Sequence, residues 1–99
     1  MSTDTASIFA LTYVYTDDSA RIDEVRPAHR AFLRELHESG TLLASGPFAD
    51  DGPAAALILL RGESADDLLT ALEADPFFEA GLIAERSIRP WNVTVGDLG

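Results

Sequence analysis

A single α+β domain, running strand, helix, strand, strand, helix, strand, is the fold class this sequence predicts. Three observations carry it. Ninety-nine residues support one hydrophobic core and hardly more. Short apolar runs rich in aliphatic and aromatic residues lie at 8–15, 41–48, 54–61 and 82–95, bounded by turn-forming residues, as strands are. Between them, two stretches repeat apolar residues at three- and four-residue spacing, as amphipathic helices do.

Each element has its own justification. Residues 8–15 (IFALTYVY) precede Thr16-Asp17-Asp18-Ser19, a turn-like run. From about Arg21 to Ser39, Val25, Ala28, Phe32, Leu33 and Leu36 form one helical face, stopped at Gly40. Pro27 suits the first helical turn, which leaves Arg21 to Arg26 open as either helix or a separate turn. Residues 41–48 and 54–61 flank Ala49-Asp50-Asp51-Gly52-Pro53, a bridge suited to a hairpin. Ser64 with Asp67 resembles a capping box and opens a helix bearing Ala65, Leu68, Leu69 and Leu72 on one face. Asp75-Pro76 ends that helix and starts a short turn through Phe77 and Phe78, stopped at Gly81. The last segment, 82–95, is extended, with a bulge or edge position expected at Pro90. This order is the ferredoxin-like βαββαβ arrangement, a four-stranded antiparallel sheet in the order 4-1-3-2. One domain spans 1–99, with residues 1–7 expected to be disordered.

Two strands are apolar on both sides. Ala55, Leu57 and Leu59 alternate with Ala56, Ile58 and Leu60; Phe9, Leu11 and Tyr13 alternate with Ile8, Ala10 and Val14. A strand apolar on both faces is buried on both. Right-handed crossovers place both helices on one side of the sheet, so the other side needs a cover. A second copy of the sheet is the simplest one, and the expected assembly is a homodimer joined face to face. Trp91 is expected as an amphipathic anchor at that interface or in the core.

Composition narrows the function. Seventeen acidic residues against seven basic ones give a net charge of −10, which disfavours nucleic acid and anionic membrane partners. The seven basic residues are all arginines, which removes lysine Schiff-base chemistry, and the absence of cysteine removes thiol catalysis, disulfides and thiolate metal sites. No apolar run is long enough to span a bilayer, and the first seven residues lack the basic start of a signal peptide. The expected location is the cytoplasm.

The topology brings distant polar residues to one end of the sheet: His29 from the first helix, Ser45-Gly46-Pro47 before the hairpin, and Asp75 after the second helix. Tyr13 and Tyr15 approach the same end. If Pro27 lies in the first turn, His29 is near the positive end of its helix, which favours a neutral imidazole there. A carboxylate from Asp75 would fix the ring's orientation and make a general acid/base pair. Two plainer readings stand beside this one. His29 can be a helix residue hydrogen-bonded to backbone, and Asp75 can be the N-cap of the turn after it; cap and acid/base roles are compatible, because a carboxylate has two oxygens. Gly46 allows a backbone close to a ligand or else marks a bulge. Ser45 has no adjacent base and no nucleophile elbow, so it is not read as a nucleophile. Arg26, Arg30 and Arg34 form a stripe read as a solvated face compensated by Glu35, Glu38 and nearby acidic loops, with Arg26 the candidate to meet an anionic substrate. His37 is read as exposed at the helix's other end, and the two histidines are not spaced as metal ligands.

The chain also resembles the YciI-like family of small dimeric α+β barrel proteins, from Phe9 to Trp91. The resemblance rests on Arg26-Pro27-Ala28-His29 with Phe32, Leu33 and Leu36; on Gly40 through Pro47; on Asp75-Pro76-Phe77 with Ala80-Gly81-Leu82; and on Ile88-Arg89-Pro90-Trp91. It implies a ferredoxin-like fold dimerising into a barrel, with His29 and Asp75 as the active-site dyad and Ser45-Gly46-Pro47 beside the same cleft. The family is similar in architecture to muconolactone isomerase, one branch is a dehydrochlorinase of a chlorinated hydroxyhydroquinone, and other members are fused modules or companions of other proteins. The expected function is therefore a cofactor-independent lyase or isomerase for a small cyclic or aromatic molecule. His29 and Asp75 would be catalytic, Ser45, Gly46, Pro47, Tyr13 and Arg26 would bind substrate, and no metal is implied. The alternative is a non-catalytic dimer that binds a small ligand or protein; a cofactor-free oxygenase is a third reading.

Overall fold

The computed structural model describes residues 7–97. Its four strands are β1 (Ser7–Tyr15), β2 (Leu42–Pro47), β3 (Ala55–Gly62) and β4 (Ile83–Pro90); its helices are α1 (Ser19–Glu38), α2 (Ala65–Ala71) and α3 (Pro76–Glu79), with a 3₁₀ turn at Leu72–Ala74. The sheet is antiparallel with the order β2-β3-β1-β4, as the sequence predicts. Residues 1–6 of the tail expected to be disordered lie outside the described residues; Ser7 opens β1 opposite Gly62.

The helix start differs from the sequence reading. α1 is one uninterrupted helix of 20 residues that begins at Ser19, where the Asp18 side chain accepts the Arg21 N–H. Pro27 therefore lies in the interior rather than the first turn. Its missing N–H frees a carbonyl four residues back, at Asp23, and both residues are exposed to solvent. The far end closes as expected: Gly40, at φ +89°, allows the Gly40 and Thr41 N–H groups to bond the carbonyls of His37 and Leu36. Ser64 caps α2 by accepting the Asp67 N–H. β4 stops at Pro90, short of the extended segment expected to Val95, and it is an edge strand, where proline's missing donor costs no ladder bond. The register shift lies elsewhere in β4, where Ala84 is the extra residue opposite Val14/Tyr15. Trp91 is 42% exposed, so the core is not its place in one copy of the chain.

Both helices pack on one face of the sheet. Phe9, Leu11 and Tyr13 of β1 and Ile58 and Leu60 of β3 meet Leu33 of α1, Leu68 of α2 and Leu72 in one buried cluster. Arg86 fastens β4 to the helices: it donates to the Leu69 carbonyl, pairs with Glu73 and lies 4.4 Å over the Phe78 ring. The opposite face carries Ile8, Ala10, Val14, Ala55, Leu57 and Leu59, half-buried rather than buried. No described helix covers it. Among the described residues no helix is long and apolar enough to cross a membrane.

Candidate active site

Asp75 sits where the 3₁₀ turn meets α3, in extended conformation before Pro76, and it has no exposed surface. Its carboxylate is surrounded by donors. Oδ1 accepts the Phe77 N–H at 3.0 Å, capping α3, and Oδ2 accepts the Tyr13 hydroxyl at 3.0 Å. His29 Nδ1 lies 2.8 Å from Oδ1 and 3.0 Å from Oδ2. A carboxylate only accepts, so Nδ1 carries a proton, and in the neutral ring the free lone pair is on Nε2. One carboxylate thus both caps a helix turn and holds an imidazole.

The ring is fixed from below as well. Phe77 stacks on it with centroids 4.0 Å apart and planes 16° from parallel. Tyr15 meets Phe77 edge-on at 5.4 Å, and Tyr13 meets Tyr15 edge-on at 6.2 Å. Burial, reinforced by the Asp75 charge and hydrogen bond, pushes the Tyr13 phenol far above its ordinary value. Burial and the Asp75 charge push Tyr15 up to about 12, with Arg26 opposing. Both hydroxyls are therefore protonated donors at neutral pH.

A cleft of about 400 Å³ opens beside the ring, between α1 and β2, with β3 as its floor. His29, Tyr15, Phe77, Leu33, Ala56 and Ile58 line it, together with Arg26, Arg30 and the Ser45-Gly46-Pro47 segment. Ser45 reaches it because of a register shift between Leu42 and Ala44. Plain alternation from Leu42 would send Ser45 to the open face; the extra residue pairs it with Ile58 and turns it toward α1. Gly46 lies in the strand and is not the bulge; a Cβ there would meet nothing within 4 Å.

His29, Asp75, Ser45, Gly46, Pro47 and Arg26 are thus brought to one end of the sheet. Three expectations need correction. Tyr13 is fully buried and bonds Asp75 instead of lining the cleft; two residues further along the same face of β1, Tyr15 takes the lining position. His29 is the eleventh residue of α1, so the first-turn dipole does not act on it; the sequence places it wrongly because Pro27 imitates a helix start. Arg30 also lines the cleft, and neither it nor Arg34 pairs with a carboxylate among the described residues, so the stripe is not charge-compensated there. Arg26 is paired with Asp23. His37 is exposed, as expected. Among the described residues no three His, Asp or Glu side chains cluster as metal ligands would.

Comparison with known proteins adds context to this geometry. A family model described as the YCII-related domain matches residues 8–92. The protein YciI of Escherichia coli is 33% identical over 93 residues, which cover 82% of this chain and 95% of that protein. Among solved structures, the 5-chloro-2-hydroxyhydroquinone dehydrochlorinase of Burkholderia phenoliruptrix, in complex with 2,5-dihydroxybenzoquinone, superposes with a TM-score of 0.74 at 24% identity, covering 86% of this chain and 93% of that one. A dimeric protein of unknown function and ferredoxin-like fold from Bacteroides fragilis gives 0.63 at 11% identity, covering 91% and 98%. At these identities the structural likenesses establish the fold.

Proposed function

This chain belongs to the YCII-related family, and on that premise we propose that it is a cofactor-independent enzyme of lyase or isomerase type acting on a small cyclic or aromatic molecule. The observation that carries the proposal is the His29–Asp75 pair, with Nδ1 committed to the carboxylate and Nε2 on a ring that lines a cleft. Nε2 removes a proton from carbon. The electron pair left behind forms a double bond, either expelling a leaving group with its electrons or shifting into conjugation with a ring carbonyl. In the second case the proton returns from Nε2 to a different carbon, and in the first it passes to the leaving group or solvent. Asp75 stabilises the imidazolium formed in between. Tyr15, protonated at neutral pH, supplies a donor for negative charge developing on a ring oxygen. The dehydrochlorinase fold neighbour, bound to a dihydroxybenzoquinone, supports a ring-shaped substrate.

The test is an assay without added metal or cofactor on 5-chloro-2-hydroxyhydroquinone and a set of cyclic enones and unsaturated lactones, followed by halide release and by double-bond migration. Turnover of at least one class, lost in His29→Ala and in His29→Gln, supports the reading. Turnover undiminished in both variants overturns the catalytic role of the pair, and turnover of no class overturns the enzyme reading in favour of a ligand-binding dimer in which the pair is a brace. The full burial of Asp75 and its role as a helix cap are what favour that second reading.

The same reading includes a homodimer. Half-buried Leu57 and Leu59 at the centre of the uncovered sheet face support a second copy there, as does the dimeric fold neighbour. Leu57→Glu is expected to convert a dimer to a monomer by light scattering; an unchanged mass would exclude this face as the interface.

A further inference from the structure

The groove between α1 and β2 has a charge opposite to that of the protein. Three of the seven basic residues, Arg26, Arg30 and Arg34, line it or its continuation toward His37. No acidic side chain among the described residues does. Asp75 lies beneath the cleft, fully buried and already bonded to three donors.

Arg30 is the informative member. Arg21, Arg26 and Arg86 each have a carboxylate partner, at Glu24, Asp23 and Glu73. The Arg30 side chain, like those of Arg34, Arg61 and Arg89, makes no ion pair or hydrogen bond among the described residues, and of these four it alone lines the cleft beside His29. Its neighbours one turn away in either direction are Arg26 and Arg34, and like charges at that spacing destabilise a helix. A chain with a large surplus of carboxylates has every opportunity to neutralise this stripe, yet it pairs only Arg26 and leaves Arg30 and Arg34 without a carboxylate among the described residues. A local arrangement that works against stability, at the rim of a cleft, is expected where a ligand supplies the missing charge.

We propose that the cleft takes a small cyclic organic anion, a ring bearing a carboxylate or an ionised enol. The ring lies against Leu33, Ala56 and Ile58 within reach of His29, and Arg30 binds the anionic group. This rests on the acid/base reading of the same cleft and names its substrate class. A guanidinium suits either group, because its planar fork donates two parallel hydrogen bonds to a carboxylate or to adjacent ring oxygens. The negative potential of the rest of the surface makes the groove the place where such an anion is held.

The experiment is a titration of the full chain with benzoate and with benzamide, a neutral ring of the same shape, followed by NMR of the His29 ring. It is repeated with inorganic phosphate, at low and high salt, and in Arg30→Gln and Arg21→Gln. Arg21→Gln removes the same charge from the same helix outside the cleft. Benzoate is expected to bind at least fivefold more tightly than benzamide and phosphate, to weaken with salt, and to lose at least fivefold in Arg30→Gln but less than twofold in Arg21→Gln. Equal binding of benzoate and benzamide at His29, or equal effects of the two substitutions, would overturn this inference and leave the acid/base reading standing. Phosphate binding as tightly as benzoate would reduce the site to a charge patch and overturn it too. If neither ring perturbs His29, this inference and the small-molecule reading of the cleft both fall.

Discussion

The two ends of the helix-covered core are equally buried and built on opposite principles. At one end, around Gly62, Phe9, Leu60 and Leu68, there is only hydrocarbon, packed so closely that a Cβ on Gly62 would come within 2.9 Å of Leu68. At the other end, Tyr13, His29, Asp75 and Phe77 put two titratable side chains and a phenol into the same core and leave a cleft beside them. A tight apolar end resists change in volume, whereas a polar end depends on every donor keeping its acceptor. One sheet thus carries a foot that supplies stability and a rim free to carry chemistry.

Substitutions at the two ends should separate these roles. The largest effect belongs to His29→Ala, which is expected to lower turnover by roughly 10²–10⁴-fold while the protein stays folded, checked by steady-state assay and circular dichroism. Asp75→Ala leaves the Tyr13 hydroxyl, the Phe77 N–H and His29 Nδ1 without their acceptor. It should lower stability by about 3 kcal/mol in urea denaturation as well as abolish activity. At the foot, Gly62→Ala should cost about 1–3 kcal/mol by overpacking against Leu68 and leave turnover per folded molecule unchanged. A foot variant that lost activity without losing stability would break the division.

The smallest effect is a pH dependence confined to the rim. The chain has two tyrosines and neither lysine nor cysteine, so no other side chain titrates between about pH 8 and 12. Both phenols have folded values above the ordinary 10.0, Tyr15 at about 12 and Tyr13 further up. The unfolded chain therefore loses these protons first. Their contribution is full below about pH 10 and falls as pH rises toward 12. Urea midpoints measured at pH 8, 10.5 and 11.5 should fall with pH in the parent chain, and the slope should flatten in Tyr13→Phe.

Most of the framework is readable in the sequence, since strand alternation, Gly40, Ser64 and Asp75-Pro76 each announce a local structure by a local rule. The convergence of His29 and Asp75 follows from topology alone, which fixes the end of the sheet where each element terminates. What escapes depends on packing or register. Pro27 carries the signature of a first helical turn, but Asp18 caps the chain earlier and the residue whose carbonyl is freed, Asp23, is exposed to solvent. Tyr13 and Tyr15 share one face of β1, and only the depth of α3 against the sheet decides which is buried beneath Asp75 and which lines the cleft. Ser45 faces α1 through a one-residue shift that no pattern in residues 42–47 reveals. Arg30 looks like any charge on a solvated helix until the pairing of its neighbours is known.

The central claim is that Asp75 holds the His29 proton on Nδ1 so that Nε2 faces the cleft as a base. Nitrogen NMR of protein labelled in histidine reads this directly, at a pH where the ring is neutral. Nδ1 should show the shift of a protonated ring nitrogen and Nε2 that of an unprotonated one, lost in favour of the mixed tautomers of a free imidazole in Asp75→Ala. A proton found on Nε2 in the parent chain would contradict the account.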